Sequence, residues 1–318
     1  MTPTRRLFIK QASLLTGAYL LGDILPSFAV NKEIKTFDFK ISLAQWSLHK
    51  LLFAKQLSPL DFPVVARKIY DIEAVEYVNQ FFLDKAKDTS FLTELKKRAD
   101  DNGVKSLLIM VDQEGSLASP DVALRNESVE KHYKWVEAAK FLGCHSIRVN
   151  LHGEGTEEEW KKASIEGLGK LTEFAAKLEL NVIVENHGQW SSKGNLVAEV
   201  MKAVNSPNCG TLPDFGNFCV RRRDGDMWRS PCVEWYDRYK GVEEMLPFAK
   251  GVSAKSFDFD EKGNETTIDF KTMLRLVKNS GFKGYIGIEY EGDRLSEHAG
   301  IIATKKLLET VRADLAKP

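Results

Sequence analysis

The sequence has no excess of charge of either sign, because 45 Lys and Arg residues balance 45 Asp and Glu residues over its 318 positions. Proteins that bind nucleic acid through its phosphates generally carry a basic surplus, so this balance gives no electrostatic case for such a partner. Hydrophobic residues make up 43% of the chain, which is ordinary for a soluble globular protein. Composition therefore indicates a globular chain with no nucleic-acid partner.

Cysteine is also scarce, with four residues and no C-x-x-C pair of the kind that binds zinc. Cys219 and Cys232 fall within one predicted loop and are close enough in sequence to pair. Either a disulfide or simple packing would explain these two residues. Packing is the expected role of Cys144 and Cys209.

Long apolar runs are limited to one stretch near the N-terminus, residues 12–25, which Gly17, Gly22 and Asp23 interrupt. The stretch falls short of the ~20 residues that a membrane span needs. An Arg5-Arg6 pair precedes it, and small residues suited to cleavage follow at 27–29. The segment resembles a twin-arginine (Tat) export signal. We predict a signal peptide over residues 1–29, a periplasmic location and no stable membrane insertion after its removal; an N-terminal membrane anchor is the alternative.

Eight short apolar runs alternate with amphipathic segments along the rest of the chain, a pattern typical of a parallel sheet covered by helices. Removing 29 residues from 318 leaves 289, which suits one (β/α)8 TIM barrel of ~250 residues. We predict an α/β fold, a (β/α)8 TIM barrel over residues 30–318. A doubly wound open sheet is the alternative, but the first run lacks the Gly-rich turn of nucleotide-binding sheets. The predicted strands cover residues 41–46, 74–78, 106–111, 146–151, 182–184, 210–212, 251–254 and 285–288.

Three of the predicted strands run into an acidic residue: Glu185 after the fifth, Asp214 after the sixth and Glu289 after the eighth. The C-terminal ends of barrel strands meet at one mouth, so these carboxylates would converge there. They cannot all stay charged without a counter-ion, and hard oxygen ligands favour Mg²⁺ or Mn²⁺. The sequence therefore predicts a divalent-metal site. Three separate helix N-caps or surface acids are the alternative.

Polar residues also lie on the inward face of the fourth predicted strand. Arg148, Asn150 and His152 share the face opposite Ile147 and Val149, which suits a polar barrel interior. We expect all three to contact the substrate. For His152, a ligand role and a hydrogen-bonded place in the barrel wall are equal alternatives.

Two further residues are candidates for catalysis. His187 lies two positions beyond Glu185 with the same strand parity, so it is expected to reach the substrate. Lys255 lies within the seventh predicted strand, where a buried Lys must pair with an acid or shift its pKa. A functional contact is favoured for Lys255 over a lysine that only extends its charge to solvent. Gln45, at the end of the first predicted strand, is a weaker substrate-binding candidate.

The longest irregular region covers residues 218–235 and follows the sixth predicted strand. It contains three consecutive arginines and Trp228. Loops after barrel strands build the active-site face, so this loop could form a lid or a substrate rim. A solvated surface insertion is an equal alternative.

Taken together, these residues resemble the xylose isomerase-like TIM barrels, the sugar isomerase and epimerase superfamily. The resemblance implies a Glu, an Asp, a His and a Glu around one divalent metal, and Glu185, Asp214 and Glu289 match three of them. In the epimerases of this family, the two glutamates also exchange the substrate proton. The chain departs from the family at Ser253, which stands in place of the ligand His, and at Asn217, which stands where a further His is frequent. Asn217 is accordingly assigned to substrate binding.

The resemblance implies an exported isomerase or epimerase that acts on a non-phosphorylated carbohydrate or polyol by metal-assisted proton abstraction next to a carbonyl. A lyase that eliminates a group from a keto-sugar or keto-glycoside is the second hypothesis, because it shares the first step. A carbohydrate-binding barrel without catalysis is the third. DNA repair is the least expected activity, since six histidines are too few for a His-rich three-metal site. A homo-oligomer is compatible with each hypothesis.

Overall fold

The computed structural model describes residues 37–317. The predicted signal peptide, residues 1–29, lies outside the described residues, so the cleavage site and the start of the mature domain at residue 30 stay predictions. Within residues 37–317, no helix is both long enough and apolar enough to cross a membrane.

Eight parallel strands form one curled sheet within the described residues, and two more form a separate antiparallel hairpin. In chain order the strands are β1 (Lys40–Ala44), β2 (Ala74–Val78), β3 (Lys105–Met110), β4 (Ser146–Val149), β5 (Asn181–Glu185), β6 (Cys209–Leu212), the hairpin strands β7 (Cys219–Arg222) and β8 (Cys232–Trp235), β9 (Val252–Ser256) and β10 (Tyr285–Tyr290).

The eight parallel strands follow one another around the sheet in the order β6-β5-β4-β3-β2-β1-β10-β9. Bridges from Thr211 to Ala249 and from Asp214 to Ser253 join β6 to β9 and close the ring. This closure confirms the predicted (β/α)8 TIM barrel. The doubly wound alternative is wrong, because its strand order would reverse within an open sheet.

Helices occupy the connections between the barrel strands. Two of these helices end at a glycine, Gly143 and Gly281, whose backbones adopt positive φ angles of 79° and 76°. The described helices are α1 (His49–Phe53), α2 (Phe62–Tyr70), α3 (Thr89–Asp101), α4 (Val122–Leu142), α5 (Glu157–Lys177), α6 (Gly194–Val204), α7 (Arg238–Met245), α8 (Phe270–Ser280) and α9 (Glu297–Ala316).

Strand alternation divides the core into two parts. Outward-facing residues such as Val182 and Val184 of β5 join the large apolar cluster between the sheet and the helices. Ile183, on the opposite face of the same strand, belongs to a small cluster with Leu212 inside the barrel. The rest of the interior carries polar and charged side chains, so the barrel centre is available for chemistry.

The region predicted to be irregular, residues 218–235, contains the β7–β8 hairpin, so that prediction is wrong. Its strands are short and carry Arg, Cys and Trp in place of an apolar alternation, which is why periodicity did not reveal them. The Cys219 and Cys232 sulfurs form a disulfide across the hairpin. Cys144 and Cys209 are buried and unbridged, as expected of packing residues.

Candidate functional site

A cavity of about 1080 Å³ opens at the C-terminal ends of the barrel strands. A smaller cavity of about 420 Å³, at the opposite end near Lys40 and Lys105, mixes charges of both signs and lies away from the predicted site. The polar residues lining the large cavity include Gln80, Asp112, Arg148, Asn150, His152, His187, Asn217, Lys255, Glu289 and Glu291.

The three carboxylates predicted to converge do converge. Each of Glu185, Asp214 and Glu289 is buried and offers one oxygen, and these oxygens lie within 4.8 Å of one another. Glu185 is the last residue of β5, Asp214 lies two residues beyond β6, and Glu289 is on β10. Glu289 borders the cavity, whereas Glu185 and Asp214 lie directly beneath its surface. We call these three residues the acid cluster.

Ser253 on β9 joins two members of the acid cluster. Its hydroxyl oxygen lies 2.7 Å from Oδ2 of Asp214 and 2.8 Å from Oε2 of Glu289. One hydroxyl proton can be donated to only one of these oxygens. The second carboxylate must therefore hold a proton or meet a cation.

Lys255 supplies the main positive charge beside Glu289. Its Nζ donates to Oε1 of Glu289 at 3.1 Å and to Oε1 of Glu291 at 2.9 Å, and it lies 3.9 Å from Asp214. Burial alone would lower the pKa of Lys255, but the surrounding carboxylates outweigh burial and raise the pKa well above its ordinary value. Lys255 is therefore a fixed cation rather than a neutral base.

Burial and Lys255 shift the pKa values of the acid cluster in different directions. Burial raises the pKa of Asp214 to about 6, against the opposing effect of Lys255. Burial raises the pKa of Glu185 well above its ordinary value, with Arg148 opposing it. For Glu289 burial acts in the same direction, but Lys255 and Ser253 outweigh it, so the pKa of Glu289 is lowered. Glu289 is accordingly the most readily ionised member of the acid cluster.

Glu185 has one oxygen available for a ligand. Its Oε1 accepts a hydrogen bond from Nδ2 of Asn217 at 3.1 Å. Its Oε2 lies 2.7 Å from Nε of Arg148, but the N–H does not point at it, and the oxygen has no hydrogen-bond partner among the described residues. A buried carboxylate oxygen of this kind is costly unless a ligand satisfies it.

Asp112 is a site residue that the sequence analysis missed. It follows β3, and its Oδ1 accepts hydrogen bonds from Arg148 at 2.8 Å and from Asn150 at 2.6 Å. Gln80 donates to its other oxygen at 3.0 Å. Asp112 therefore orients the polar residues beyond β4. An acid directly after a predicted strand was the signal used for the acid cluster, and it would also have identified Asp112.

The remaining predicted residues occupy different places. β4 ends at Val149, so Asn150 and His152 lie in the loop beyond the strand rather than on it. Nε2 of His152 contacts the carbonyl oxygen of His187 at 3.0 Å, and both histidines line the cavity. Gln45 is fully buried in a turn after β1, where its Oε1 accepts from the Val78 amide. It does not border the cavity.

These residues fit a divalent cation. The acid cluster supplies converging oxygens, Glu185 holds an unsatisfied oxygen, and Ser253 cannot serve two carboxylates at once. Arg148 and Lys255 are outnumbered by the acids around them, which are Asp112, Glu185, Asp214, Glu289 and Glu291. Because these donors are oxygens, the set suits a hard cation such as Mg²⁺ or Mn²⁺.

Two curated relatives share sequence with this chain. One is a C-glycoside deglycosidase alpha subunit from Arthrobacter globiformis, 33% identical over 67 residues, which cover 21% of this chain and 17% of that protein. The other is a 3'-dehydrocarminate deglycosidase alpha subunit from a Microbacterium species, 19% identical over 264 residues. The second match covers 64% of this chain and 73% of the relative.

Solved structures share the fold at low sequence identity. IOLI protein with a bound zinc atom has a TM-score of 0.67 at 16% identity and covers 87% of this chain and 99% of its own. L-ribulose 3-epimerase has a TM-score of 0.65 at 14% identity, covering 87% and 96%. A xylose isomerase-like TIM barrel protein from Mycobacterium smegmatis in complex with magnesium has a TM-score of 0.62 at 14% identity, covering 88% and 99%.

The sequence also matches a protein-family model over most of the barrel. The model for the xylose isomerase-like TIM barrel matches residues 66–311, which include every strand from β2 to β10. The chain belongs to the xylose isomerase-like TIM barrel family.

Proposed function

We propose that the protein is an enzyme that removes a proton from the carbon next to a carbonyl group of a non-phosphorylated carbohydrate. The observation that carries this proposal is Glu289, the member of the acid cluster that borders the cavity, has a lowered pKa and accepts a hydrogen bond from Lys255. A low pKa keeps Glu289 ionised, so it can accept the proton, while Lys255 fixes its position.

Other residues take supporting parts in this mechanism. A divalent cation held by Glu185, Asp214 and Glu289 would polarise the substrate carbonyl as a Lewis acid. Glu185, on the other side of the acid cluster from Glu289, would return a proton to the substrate. Burial lowers the pKa of His187 well below its ordinary value. His187 is therefore a neutral hydrogen-bonding group, and its unpartnered Nδ1 can contact a sugar hydroxyl.

We favour elimination from a keto-glycoside as the outcome of proton removal. Once Glu289 takes the proton, the C–H electrons form a C=C bond and the bond to the glycosidic oxygen breaks. The departing oxygen takes up the proton that Glu289 removed and leaves as the free aglycone, and the sugar becomes an unsaturated ketone. Both relatives are named deglycosidases: one name specifies C-glycosides, in which the aglycone is attached through carbon rather than oxygen, and the other describes a 3'-dehydro substrate, an oxidised sugar. These names and the large cavity support the lyase.

Isomerisation or epimerisation of a free sugar is the second candidate. Glu185 and Glu289 are on strands separated by β6 and β9 around the ring, so they approach the barrel axis from different sides. Proton removal by one and return by the other would invert or move a centre without changing substrate mass. The L-ribulose 3-epimerase that shares this fold is named for chemistry of this kind. Either activity is compatible with a homo-oligomer, and the relatives' designation as alpha subunits favours a second subunit.

Product mass in D₂O separates these two candidates. Methyl and phenyl 3-keto-glucosides and free ketohexoses are incubated with the purified protein and Mg²⁺ or Mn²⁺. Elimination splits the glycoside into an aglycone and an unsaturated sugar, whereas isomerisation yields a product of unchanged formula that has gained solvent deuterium. Removal of the metal with a chelator should stop either reaction, and added metal should restore it.

Variants of the glutamates identify the base. Glu289→Gln and Glu185→Gln should each lower turnover by ~10²–10⁴-fold. Glu309→Gln, exposed at the other end of the barrel, should leave turnover unchanged. Full activity in both glutamate variants would remove them from the mechanism. Failure of the metal-loaded wild-type protein to turn over any of these compounds would favour a binding protein.

A further inference from the structure

We propose that the β7–β8 hairpin carries an aglycone subsite, in which Trp228 stacks against a flat aromatic group attached to the sugar. This inference rests on the proposed function, because it names the class of glycoside that the same cavity accepts. It assigns a role in specificity to a residue that lies outside the polar network around the acid cluster.

Trp228 lies on one side of the cavity mouth and Trp46 on the other. Trp46 follows β1, and β1 and β5 are four positions apart in a ring of eight strands, hence opposite each other. Trp228 lies over the residues that follow β5, with its ring centroid 4.6 Å from that of His187. Both tryptophans line the cavity. A sugar held at the acid cluster would therefore project its substituent toward one of these two aromatic surfaces.

The hairpin that holds Trp228 is internally bonded. Arg222 on β7 donates to the carbonyl oxygens of Met227 and Ser230, at 2.8 and 2.7 Å. One carboxylate oxygen of Asp226 accepts from the Trp228 amide at 2.9 Å. The Cys219–Cys232 disulfide joins the first residue of β7 to the first residue of β8. These bonds fix the loop that positions the indole, so the ring is presented as a preformed surface.

Gly188 lies directly beside the indole of Trp228. A Cβ added at Gly188 would make ordinary van der Waals contact with ring atoms of Trp228, at 3.5 and 3.8 Å. The Gly188 backbone has a φ of +92°, which glycine adopts without the strain that a larger residue would carry. Trp228 remains 47% exposed, which leaves much of the indole surface available to a ligand.

The surroundings of Trp228 favour an aromatic group over a second sugar. The charged side chains of Arg222 and Asp226 are engaged in holding the loop, and the other neighbours of the ring include His152, His187, Gly188 and Met227. A second sugar ring would need partners for several hydroxyl groups, and those partners are concentrated at the acid cluster instead. A planar aromatic group needs only a stacking surface.

Binding of unoxidised glycosides tests the subsite without requiring turnover. Dissociation constants are measured by calorimetry for phenyl and methyl β-glucoside, the corresponding galactosides, and cellobiose. Wild-type protein should bind the phenyl glycoside about 5- to 10-fold more tightly than the methyl glycoside, as expected for one aromatic stacking contact. Trp228→Ala should abolish this preference and leave methyl glycoside binding unchanged. Val233→Ala, an exposed apolar change on β8 of the same hairpin outside the cavity lining, should keep the preference.

The outcomes distinguish the subsite from the proposed function. Equal affinity of wild-type protein for phenyl and methyl glycosides, or a preference that survives Trp228→Ala, would overturn the subsite alone. Tighter binding of cellobiose than of phenyl glucoside would overturn the aromatic assignment in favour of a second sugar. Absence of binding to every one of these glycosides would also overturn the subsite, whereas turnover of the 3-keto-glucosides decides the proposed function independently.

Discussion

Glu76 is a buried carboxyl group whose ionisation affects the stability of this barrel. It lies on β2 at 2% exposure, accepts a hydrogen bond from Ser42 at 2.6 Å, and has a second oxygen without a partner among the described residues. Gly287 opposite leaves the space it needs, since a Cβ there would lie 2.6 Å from the carboxylate. Burial raises the pKa of Glu76 to about 7, from an ordinary value of 4.5.

We predict that Glu76→Gln makes the protein more stable at pH 8. Because the native pKa exceeds the unfolded one, the native state keeps a proton that the unfolded chain releases above about pH 4.5. The contribution of Glu76 to the free energy of unfolding therefore falls as the pH rises from about 4.5 to 7, by about 3 kcal/mol, and then levels off. Gln cannot ionise, so the variant should lack this part of the decline. Urea unfolding at pH 5 and pH 8 measures the difference.

Glu130→Gln is the matched control for this prediction, because Glu130 is exposed on α4. It should leave the pH dependence of the wild-type protein unchanged. An identical decline between pH 5 and pH 8 in the Glu76→Gln variant and the wild-type protein would contradict the assignment to Glu76.

Sequence reasoning found the strand residues of the site more readily than the loop residues. Glu185 and Lys255 lie within strands, where successive side chains alternate between the two faces of the sheet, so the sequence shows which of them point inward. Glu291 and Gln80 lie beyond strand ends, where no period applies, and the sequence analysis assigned them no role. Gln45 was placed on the first predicted strand, but the chain turns after Ala44 and carries its side chain away from the cavity.

At the scale of elements, α5 combines a strong local start with one tight tertiary contact. The Thr156 side chain and Glu159 form a reciprocal capping box at its first turn. Gly167, farther along, packs so closely that an added Cβ would lie 2.1 Å from the carbonyl oxygen of Leu117. Gly169, two residues on, has no neighbour within 4 Å of the same position.

These two glycines predict opposite effects of one substitution. Gly167→Ala should lower the free energy of unfolding by about 1–3 kcal/mol, because the methyl group must displace backbone. Gly169→Ala should raise it by about 0.5–1 kcal/mol, because Ala has the higher helix propensity. Urea unfolding of both variants at one pH makes the comparison. Destabilisation of the same size in both would show that helix geometry, and not the Leu117 contact, decides the outcome.

The elements that sequence predicted and those it missed differ in what stabilises them. The barrel strands bury apolar side chains, so hydrophobic runs reveal them. The β7–β8 hairpin is stabilised by a disulfide and by Arg222 and Asp226, each bonded to backbone groups of its own loop. Those bonds depend on turn geometry rather than on a repeating pattern, so the strands were taken for irregular chain.

At the scale of the whole molecule, the barrel could be predicted because apolar runs alternate with amphipathic segments and because the chain has a suitable length. Parallel strands need crossover connections, and eight of them with interleaved helices leave few arrangements. Ring closure was not determined by any single motif, since the bridges between β6 and β9 join residues far apart in the chain. The identity of the substrate was equally beyond the sequence, because it depends on the shape of the cavity.

Export of the whole chain stays a prediction that mutation can test. The double variant Arg5→Lys, Arg6→Lys should remain in the cytoplasm as an uncleaved precursor in a host with a Tat system, because that route depends on the arginine pair. Immunoblots of periplasmic and cytoplasmic fractions measure the distribution. Lys32→Arg, beyond the predicted signal, should be exported like the wild-type protein. Normal export of the double variant would contradict the Tat assignment.

The junction between β6 and β9 is a place where the substrate range of this protein can change during evolution. Isolated bridges join these strands, and the insertion that carries the β7–β8 hairpin and Trp228 lies between them in the chain. Six of the seven other neighbouring strand pairs are joined through three to five residue pairs each, so they can preserve the fold while this insertion changes in length and composition. New aglycones could thus be accommodated over evolutionary time by altering one crossover, with the proton-transfer residues left in place.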